Sequence, residues 1–426
     1  MRFLKLITGH HRSLSRVIGR RYFAAAATPT EEHDKRNYAN NVSEYNTVID
    51  SISAQRRYFL LRDVYDDMAL DGVQPNRDTF HSLVIASLKG GRMQDALFFT
   101  DQMKAIGLVP DVDLFNILIS LCGKSKNSDR AIQFLDEMKV LEVKPVVQTY
   151  VCLLNACAAA GRLDRVYAII RDMTTAGLGL NKYCYAGLIT AYKNKTPVPE
   201  DFATKFLFKI IEFVERSKEW TSVEGSDVSA ENLMMGVLPE ELYNLPTAEY
   251  AHRRLGFVVK QLTAYHAAFH ACAELKKVEL METLLEMLEK DGKTPDTFIV
   301  MQIMRCYLHS GDIDRGLKVF EDHMKSDKPP IGELYTTLIE GAMIGYTPRG
   351  MQIAQDALTG GYSVANYIWD LMQSRKQIPF LPAVEAYYKG LKEREIPEDE
   401  PRLVLASRTY EDLRARFGNI GRAPPS

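Results

Sequence analysis

The sequence predicts an all-α protein built as a solenoid of stacked antiparallel helix pairs. Three observations lead to this fold class. Turn-forming dipeptides recur every 35 residues, at Pro75-Asn76, Pro110-Asp111 and Pro145-Val146. A helical segment containing a methionine precedes most of these points, and a segment led by an aromatic residue follows them. Apolar residues make up 46% of the chain and charged residues 25%, as in folded soluble proteins.

Each 35-residue unit contains two amphipathic helices. Apolar residues at helical spacing form one set in the first helix and another in the second. In the unit that begins at residue 112, these sets are Phe115, Leu118, Ile119 and Cys122, then Ile132, Leu135 and Met138. A glycine that can take a left-handed C-cap and a proline then end the second helix. A single pair cannot bury its apolar face, so we expect the pairs to stack.

The chain divides into two groups of such units. The first group, 42–220, holds units at 42–76, 77–111, 112–146, 147–181 and a fifth from 182, whose second helix is predicted at 202–220. The second group, 262–366, holds units at 262–296 and 297–331 and a degenerate eighth unit from 332. Residues 24–41 are predicted to be a polar linker, and residues 367–426 a helical cap with a disordered tail.

An irregular insertion, 221–261, separates the two groups. The interval between equivalent points of units five and six holds about 45 residues more than one unit requires. The stretch is polar between Thr221 and Ala230 and is punctuated by Pro239 and Pro246. We expect it to project from one edge of the stack and to make contacts of its own.

The first 23 residues have the composition of an organelle transit peptide. They contain six basic residues and no acidic residue, and their apolar residues can share one helix face. A secretory signal would need an uninterrupted apolar core, which the arginines prevent. Arg21, Phe23 and Ala24 resemble a mitochondrial processing site. We therefore expect cleavage there and location in the mitochondrial matrix; a basic helix retained in the fold is the alternative.

Charge and cysteine content exclude several classes of function. The full chain has a net charge of -2, and removal of residues 1–23 leaves 47 basic and 55 acidic residues, a net charge of -8. That balance is not typical of proteins that coat nucleic acid nonspecifically. The six cysteines form no CxxC pair and lie in apolar helical runs, which predicts buried, reduced thiols. We expect no membrane span, because no apolar run is long enough.

The repeated unit resembles the pentatricopeptide repeat. Residues 45–49, Tyr-Asn-Thr-Val-Ile, and 115–119, Phe-Asn-Ile-Leu-Ile, are similar to the start of that repeat. Residues 91–96 match its Gly-x-x-x-x-Ala segment, and Met103 to Asp111 match its Met-x-x-x-Gly-x-x-Pro-Asp end. The resemblance covers most of the chain. It implies a right-handed superhelical α-solenoid of P-class-like units.

The resemblance also implies RNA recognition, with one base bound by each unit. The fifth residue of a unit and the residue that closes it would bond the base edge. The residues predicted to face bases are Asn46, Asn76, His81, Asp111, Asn116, Asn181, His266 and Asp296. Only Asn46 with Asn76 fully fits the pattern. Val151, Ala186 and Met301 occupy the fifth position elsewhere and can neither donate nor accept a side-chain hydrogen bond. We therefore expect poor sequence specificity.

Cations near the ends of the first helices are candidate phosphate contacts. They are Lys89, Arg92, Lys124 and Lys126, with Lys193 and Lys195 further on. They can meet the phosphates of a folded RNA, or they can simply solvate the helix ends.

The motifs that would indicate an enzyme do not occur. The sequence lacks the nucleophile-elbow, phosphate-loop and zinc-protease motifs. No deaminase-like His-x-Glu and Cys-x-x-Cys set follows residue 331. His266 and His270 lie four residues apart and could reach a metal, but the sequence offers no clear third ligand, so ordinary helix residues are the preferred interpretation. We expect no enzymatic activity, no cofactor, no metal and no small-molecule substrate.

These expectations converge on a scaffold within a mitochondrial ribonucleoprotein. A short array, a poor base code and a non-basic charge balance resemble the pentatricopeptide subunits of plant mitochondrial ribosomes. The predicted partners are ribosomal RNA and ribosomal proteins, and the small subunit is the predicted particle. Two alternatives remain: a free RNA-binding factor acting on one organellar transcript, and an adaptor that binds no RNA.

Overall fold

The computed structural model describes residues 38–195, 202–221, 237–253, 256–325, 332–344, 365–374, 379–394 and 396–417. The predicted transit peptide and processing site, most of the polar linker and the predicted disordered tail lie outside the described residues. In the described part the protein is all-α, as predicted, and the helices occur in pairs.

The helix pairs follow the predicted units. The first and second helices are, in unit one, Val42–Ala54 and Leu61–Leu70; in unit two, Arg77–Gly90 and Met93–Ala105; in unit three, Val112–Lys124 and Ser128–Val140; in unit four, Val147–Ala159 and Leu163–Thr175; and in unit five, Lys182–Asn194 and Phe202–Thr221. Units six and seven contain Thr263–Leu275 with Val278–Lys290 and Thr297–His309 with Ile313–Lys325, and Gly332–Ile344 opens unit eight. A helix at 365–374 and the helices Leu381–Glu393 and Pro401–Phe417 follow.

The first helix of each unit packs against the first helices of the neighbouring units. This contact continues from unit one to unit eight. It also crosses the insertion, because Lys182–Asn194 of unit five packs directly on Thr263–Leu275 of unit six. The insertion therefore does not interrupt the stack.

Side-chain hydrogen bonds join the ends of consecutive first helices. Lys124 donates from Nζ to the carbonyl oxygen of Leu88 at 2.8 Å, one unit earlier in the chain. Asn194 donates to the carbonyl of Ala158 at 3.2 Å in the same way. The carbonyl oxygens of Leu88 and Ala158 each accept a backbone N–H, from Gly91 and Gly161, and the side chain from the next unit provides a second donor. These bonds hold the loops of successive units side by side.

The apolar interior consists of two clusters that meet on the first helix of unit seven. Ile299, Ile303 and Cys306 of that helix belong to the cluster of units one to six. Phe298 and Met304, on the same helix, belong to the cluster that continues into the C-terminal helices. The six cysteines are all buried and reduced, as predicted, and burial raises the pKa of each thiol, to about 12 for Cys122.

A left-handed residue follows the second helix at the same repeat position in units one to four and in unit six. Glycine occupies it in four units, at Gly72, Gly107, Gly177 and Gly292. Unit three has Glu142 there instead, with φ of 58°. A side chain in this conformation costs roughly 1–2 kcal/mol. Unit three is therefore strained at its C-cap, while its neighbours are not.

We expect Glu142→Gly to stabilise the protein by about 0.5–1 kcal/mol, because strain relief exceeds the entropic cost of glycine. The reciprocal change Gly177→Glu is expected to destabilise it by about 1 kcal/mol, since a Cβ at Gly177 meets no atom within 4 Å and only the backbone cost remains. Urea unfolding of the two variants measures both. A loss of stability in Glu142→Gly would contradict the assignment of strain.

Candidate functional site

The inner face of the stack is the side of the first helices that points away from the second helices. In unit three, Phe115 packs against Phe134 of its own second helix, with ring centroids 6.4 Å apart. Asn116, Ser120 and Gly123, at spacings of four and three residues, therefore share a different face of the helix. The fifth residue of each unit lies on this inner face.

The residues that close the units are N-caps of the following first helices. Asn76 accepts the backbone N–H of Thr79 at 2.9 Å, and Asp111 accepts that of Leu114 at 3.0 Å. Asn181 accepts from Cys184 at 3.1 Å, and Asp296 accepts from Ile299 at 2.9 Å. All four have an extended backbone, as N-caps require. Their side-chain oxygens are thus already engaged by the fold.

Several predicted base-facing pairs lie close to each other. His81 Nε2 lies 3.0 Å from Asp111 Oδ2, and His266 Nε2 lies 2.7 Å from Asp296 Oδ2. In unit one, Thr79 bridges the pair instead: its Oγ1 lies 2.7 Å from the side-chain oxygen of Asn46 and 2.8 Å from that of Asn76, and its single proton can be donated to either. The structure therefore brings these predicted pairs together. His266 and Asp296 are hydrogen-bonded, whereas His81 and Asp111 are in close contact without good hydrogen-bond geometry.

The pair in unit six is the most enclosed. The side chains of His266 and Asp296 are 3% and 1% exposed. Asp296 Oδ2 also accepts the backbone N–H of Val259 at 2.7 Å, so one carboxylate holds three partners. In unit two, Asp111 is 40% exposed. Burial raises the pKa of Asp111, but the contact with His81 and the hydrogen bond from the Leu114 N–H outweigh that effect and lower it.

Burial of the fifth positions varies along the array. Asn116 is fully buried, His266 is 2% exposed and His81 is 5% exposed. Asn46 is half-buried, and Asn76, at the boundary of units one and two, is exposed. Access to a base edge is therefore greatest at the first unit, the one whose pair matches the code best.

The inserted segment, residues 237–253 and 256–259, covers the inner face of units three to five. Asn244 donates from Nδ2 to the carbonyl of Ser120 at 2.8 Å. The rings of Tyr243 and Tyr183 lie 4.7 Å apart between centroids. Leu242, Tyr243 and Leu245 are buried. The expectation that the insertion projects from an edge is wrong for this part, because its apolar side chains find burial against the first helices.

The later part of the inserted segment continues to units seven and eight. Tyr250 stacks on Phe257 with centroids 5.0 Å apart and lies 5.7 Å from Phe298 of unit seven. Phe298 donates its N–H to the carbonyl of Phe257 at 3.0 Å. Arg253 forms an ion pair of 2.6 Å with Glu333 of unit eight. The segment thus contacts first helices from unit three to unit eight.

The predicted phosphate contacts have different surroundings. Lys124 donates to the carbonyl of Leu88, and burial of its amine lowers its pKa although Glu241 and Glu249 of the inserted segment act to raise it. Arg92 pairs with Asp95. Lys89 is half-buried, and Lys126 is exposed in the loop between the two helices of unit three. Lys124 and Lys126 are thus the two exposed side chains of the four, and Lys124 uses its amine in the bond to Leu88.

A polar cluster lies where units five, six and seven meet. His270 Nε2 is 3.4 Å from Lys193 Nζ, and Glu274, Gln302 and Arg305 complete its surroundings. Burial, followed by the charge of Lys193, lowers the pKa of His270 to about 4. In the described part of the chain, no group of three or more His, Cys, Asp or Glu side chains is placed to bind a metal. His266 Nε2 is instead bound to Asp296.

Sequence reasoning did not identify the inserted segment as part of the inner face. The sequence feature that could have identified it is the group of apolar residues Leu242, Tyr243 and Leu245, because a segment that projects into solvent would not need apolar side chains. It also did not identify the bonds from one unit's first helix to the carbonyl of the preceding one. Among the described residues, no helix is both long and apolar enough for a bilayer crossing.

Asp296→Ala is expected to destabilise the protein by about 3–5 kcal/mol, because it leaves a buried histidine and two N–H groups without their acceptor. The matched change Asp111→Ala in unit two removes a half-exposed cap together with the contact to His81 and should cost less, about 1–2 kcal/mol. Urea unfolding compares the two. Equal losses would mean that the buried triple contact of Asp296 contributes nothing beyond an ordinary cap.

His270 is expected to make stability depend on pH. Its folded pKa lies below the ordinary value of about 6.5, so the unfolded chain binds more protons between pH 6.5 and 4, and stability falls as pH falls through that window. Between pH 7 and pH 5, the free energy of unfolding of His270→Gln should fall by about 2 kcal/mol less than that of wild type. The matched control His252→Gln, whose side chain is 59% exposed, should lose as much as wild type. An unchanged pH profile for His270→Gln would contradict this.

Comparison with known proteins identifies the repeat. A family model described as the pentacotripeptide-repeat region of PRORP matches residues 36–189. A mitochondrial pentatricopeptide repeat-containing protein of Arabidopsis thaliana is 58% identical, with 99% of each chain covered. That identity, together with the basic and acid-free first segment, assigns this chain to mitochondria as well.

Two solved structures are similar at lower identity. The pentatricopeptide repeat protein PPR10 of maize, in complex with an 18-nucleotide psaJ RNA element, is 17% identical with a TM-score of 0.36, and the match covers 91% of this chain and 57% of that one. The repeat domain of Arabidopsis thaliana protein-only RNase P 1, in complex with tRNA, is 16% identical with a TM-score of 0.34, covering 45% of this chain and 96% of that one. Since the full-length relative exceeds half identity, the chain belongs to the pentatricopeptide repeat family.

Proposed function

We propose that this protein is an RNA- and protein-binding scaffold of the mitochondrial ribosome that supports mitochondrial translation. The observation that carries the proposal is that side chains predicted to read bases already make contacts within the fold. Asp111 and Asp296 cap helices and contact their own histidines, and the inserted segment covers the inner face of units three to five.

A transcript-specific reader would need these groups free for base edges. Each good base contact provides roughly 1–3 kcal/mol of discrimination. A buried pair such as His266 with Asp296 must first lose its own bonds, and the apolar fifth positions Val151, Ala186 and Met301 offer no polar group. Little discrimination remains, which favours recognition of RNA by shape and backbone over recognition by sequence.

The surface of the chain also favours a large assembly. The net charge without residues 1–23 is -8, so much of the surface suits protein neighbours better than nucleic acid. Exposed apolar side chains such as Leu70, Val109 and Val140 lie near the ends of successive second helices and provide contact area for such neighbours. A scaffold that contacts both folded RNA and proteins fits this combination, and it requires no catalytic group.

A free RNA-binding factor for one organellar transcript is the second candidate. The exposure of Asn76 and the partial exposure of Asn46 favour it, because unit one keeps a code-like pair within reach of solvent. One unit reads one base, however, and a single base does not select a transcript.

The scaffold role predicts co-sedimentation with ribosomal particles. In gradients of mitochondrial lysate with magnesium, the protein should travel with one ribosomal subunit, the small subunit by our prediction, and it should shift to lighter fractions when magnesium is chelated. Antibody detection together with markers of each subunit measures this. Recovery only in light fractions under both conditions would overturn the proposal, and binding of one single-stranded sequence at least about a thousandfold better than a scrambled one would favour the second candidate.

A further inference from the structure

We infer that the loop edge of units three and four binds the phosphate backbone of folded RNA without reading its sequence. The loop edge consists of the loops that join first to second helices in units two to five, together with the adjoining helix ends. The inference rests on the proposed RNA-binding function and assigns it a surface other than the inner face.

Charge is distributed unequally between the two edges of the stack. The loop edge, residues 89–95, 124–130, 160–165 and 193–195, carries nine cations and three acids. The cations are Lys89, Arg92, Lys124, Lys126, Arg130, Arg162, Arg165, Lys193 and Lys195. The opposite edge, where second helices pass to the next unit at 66–78, 101–113, 136–148 and 171–183, carries six cations and eleven acids. A chain that is acidic overall therefore concentrates its positive charge along one edge.

The fold holds these cations in adjacent loops. The hydrogen bond from Lys124 to Leu88 joins units two and three, and the bond from Asn194 to Ala158 joins units four and five. Arg162 of unit four lies 3.9 Å from Asp129 of unit three. Positive charge therefore recurs at regular intervals along the edge, as phosphates recur along a nucleic acid backbone.

Units three and four present the most accessible part of the edge. Lys126 and Arg130 are exposed, and the side chains of Arg162 and Arg165 are 41% and 49% exposed. Between the two loops is an open depression of about 390 Å³. Its lining residues are Ser125, Lys126, Asn127, Ser128, Asp129, Ala160 and Arg162.

Because the inner face of units three to five is covered, the loop edge is an open basic surface for RNA among the described residues of these units. The inserted segment contacts Ser120 and Tyr183 across units three to five, and its acids Glu241 and Glu249 act on Lys124. A polyanion at the inner face would have to displace these contacts, whereas the loop edge is open. Phosphate contacts position a nucleic acid without selecting its sequence, which suits an array whose base-reading groups are engaged elsewhere.

A charge-reversal comparison tests the inference on the full chain. The edge variant carries Lys126→Glu, Arg130→Glu and Arg165→Glu. The control variant carries Lys139→Glu, Lys144→Glu and Arg171→Glu, which are exposed cations near the opposite edge of the same units and give the same change in net charge. A third variant, Asn46→Ala, probes the inner face. The probes are two fluorescein-labelled RNA hairpins of unrelated sequence. Binding is measured by fluorescence anisotropy at several salt concentrations. Folding of each variant is measured by circular dichroism.

The edge variant should bind both hairpins at least about tenfold more weakly at 100 mM salt, with a shallower dependence of affinity on salt, because fewer counterions are released. The control variant and Asn46→Ala should each change the dissociation constant by less than about threefold. Equal weakening in edge and control variants would overturn the inference, since only net charge would then matter. Failure of the wild-type chain to bind either hairpin would overturn it too. Gradient sedimentation tests the scaffold proposal separately. If the wild-type chain travels with a ribosomal subunit but binds neither hairpin, the loop-edge inference fails and the scaffold proposal stands.

Discussion

The packing of each first helix on the next first helix is the contact on which the rest of the structure depends. It requires small or well-fitted side chains where the helices approach closely. At Gly187, a Cβ atom would lie 2.3 Å from Leu154 of unit four, so the absence of a side chain permits the approach. Because the same contact joins units five and six, the insertion can leave the stack without splitting the protein into two arrays.

A side-chain oxygen that already accepts hydrogen bonds within the fold has less capacity to bind a ligand. A residue that closes a unit is also the first polar group before the next helix, where unsatisfied N–H groups demand an acceptor. In unit six, Asp296 meets that demand and also binds His266 and Val259, which leaves little capacity for a base. In unit one, fewer groups of the fold bind the capping side chain, since Asn76 accepts the backbone N–H of Thr79 and remains exposed. The side chains at these positions are therefore more accessible in unit one than in unit six.

Much of the fold could be predicted from the sequence, because local signals and tertiary packing agree there. The 35-residue period, the apolar stripes and the Pro-Asp boundaries all follow from short-range rules. The left-handed position was recognisable from its glycines, yet unit three supplies Glu142, a case in which tertiary structure overrides local preference. The candidate site was less predictable. Family resemblance indicates which positions face the groove, but whether His266 is buried depends on Asp296 and Val259, thirty residues after it and seven before it.

The inserted segment was unpredictable for a related reason, and it explains how the array divides its surfaces. Its composition is irregular, so no periodicity indicates where it packs, and its contacts lie as far as 124 residues away in sequence, as between Asn244 and Ser120. Once docked, it buries Leu242, Tyr243 and Leu245 and removes apolar surface of its own and of the first helices from water, which stabilises the stack. The inner face of units three to five thereby becomes part of the protein's interior. We propose that interactions with other molecules then take place at the edges, of which the loop edge is rich in positive charge and the opposite edge in negative charge. A repeat array can in this way keep the family fold while the groove serves stability and the loops serve binding.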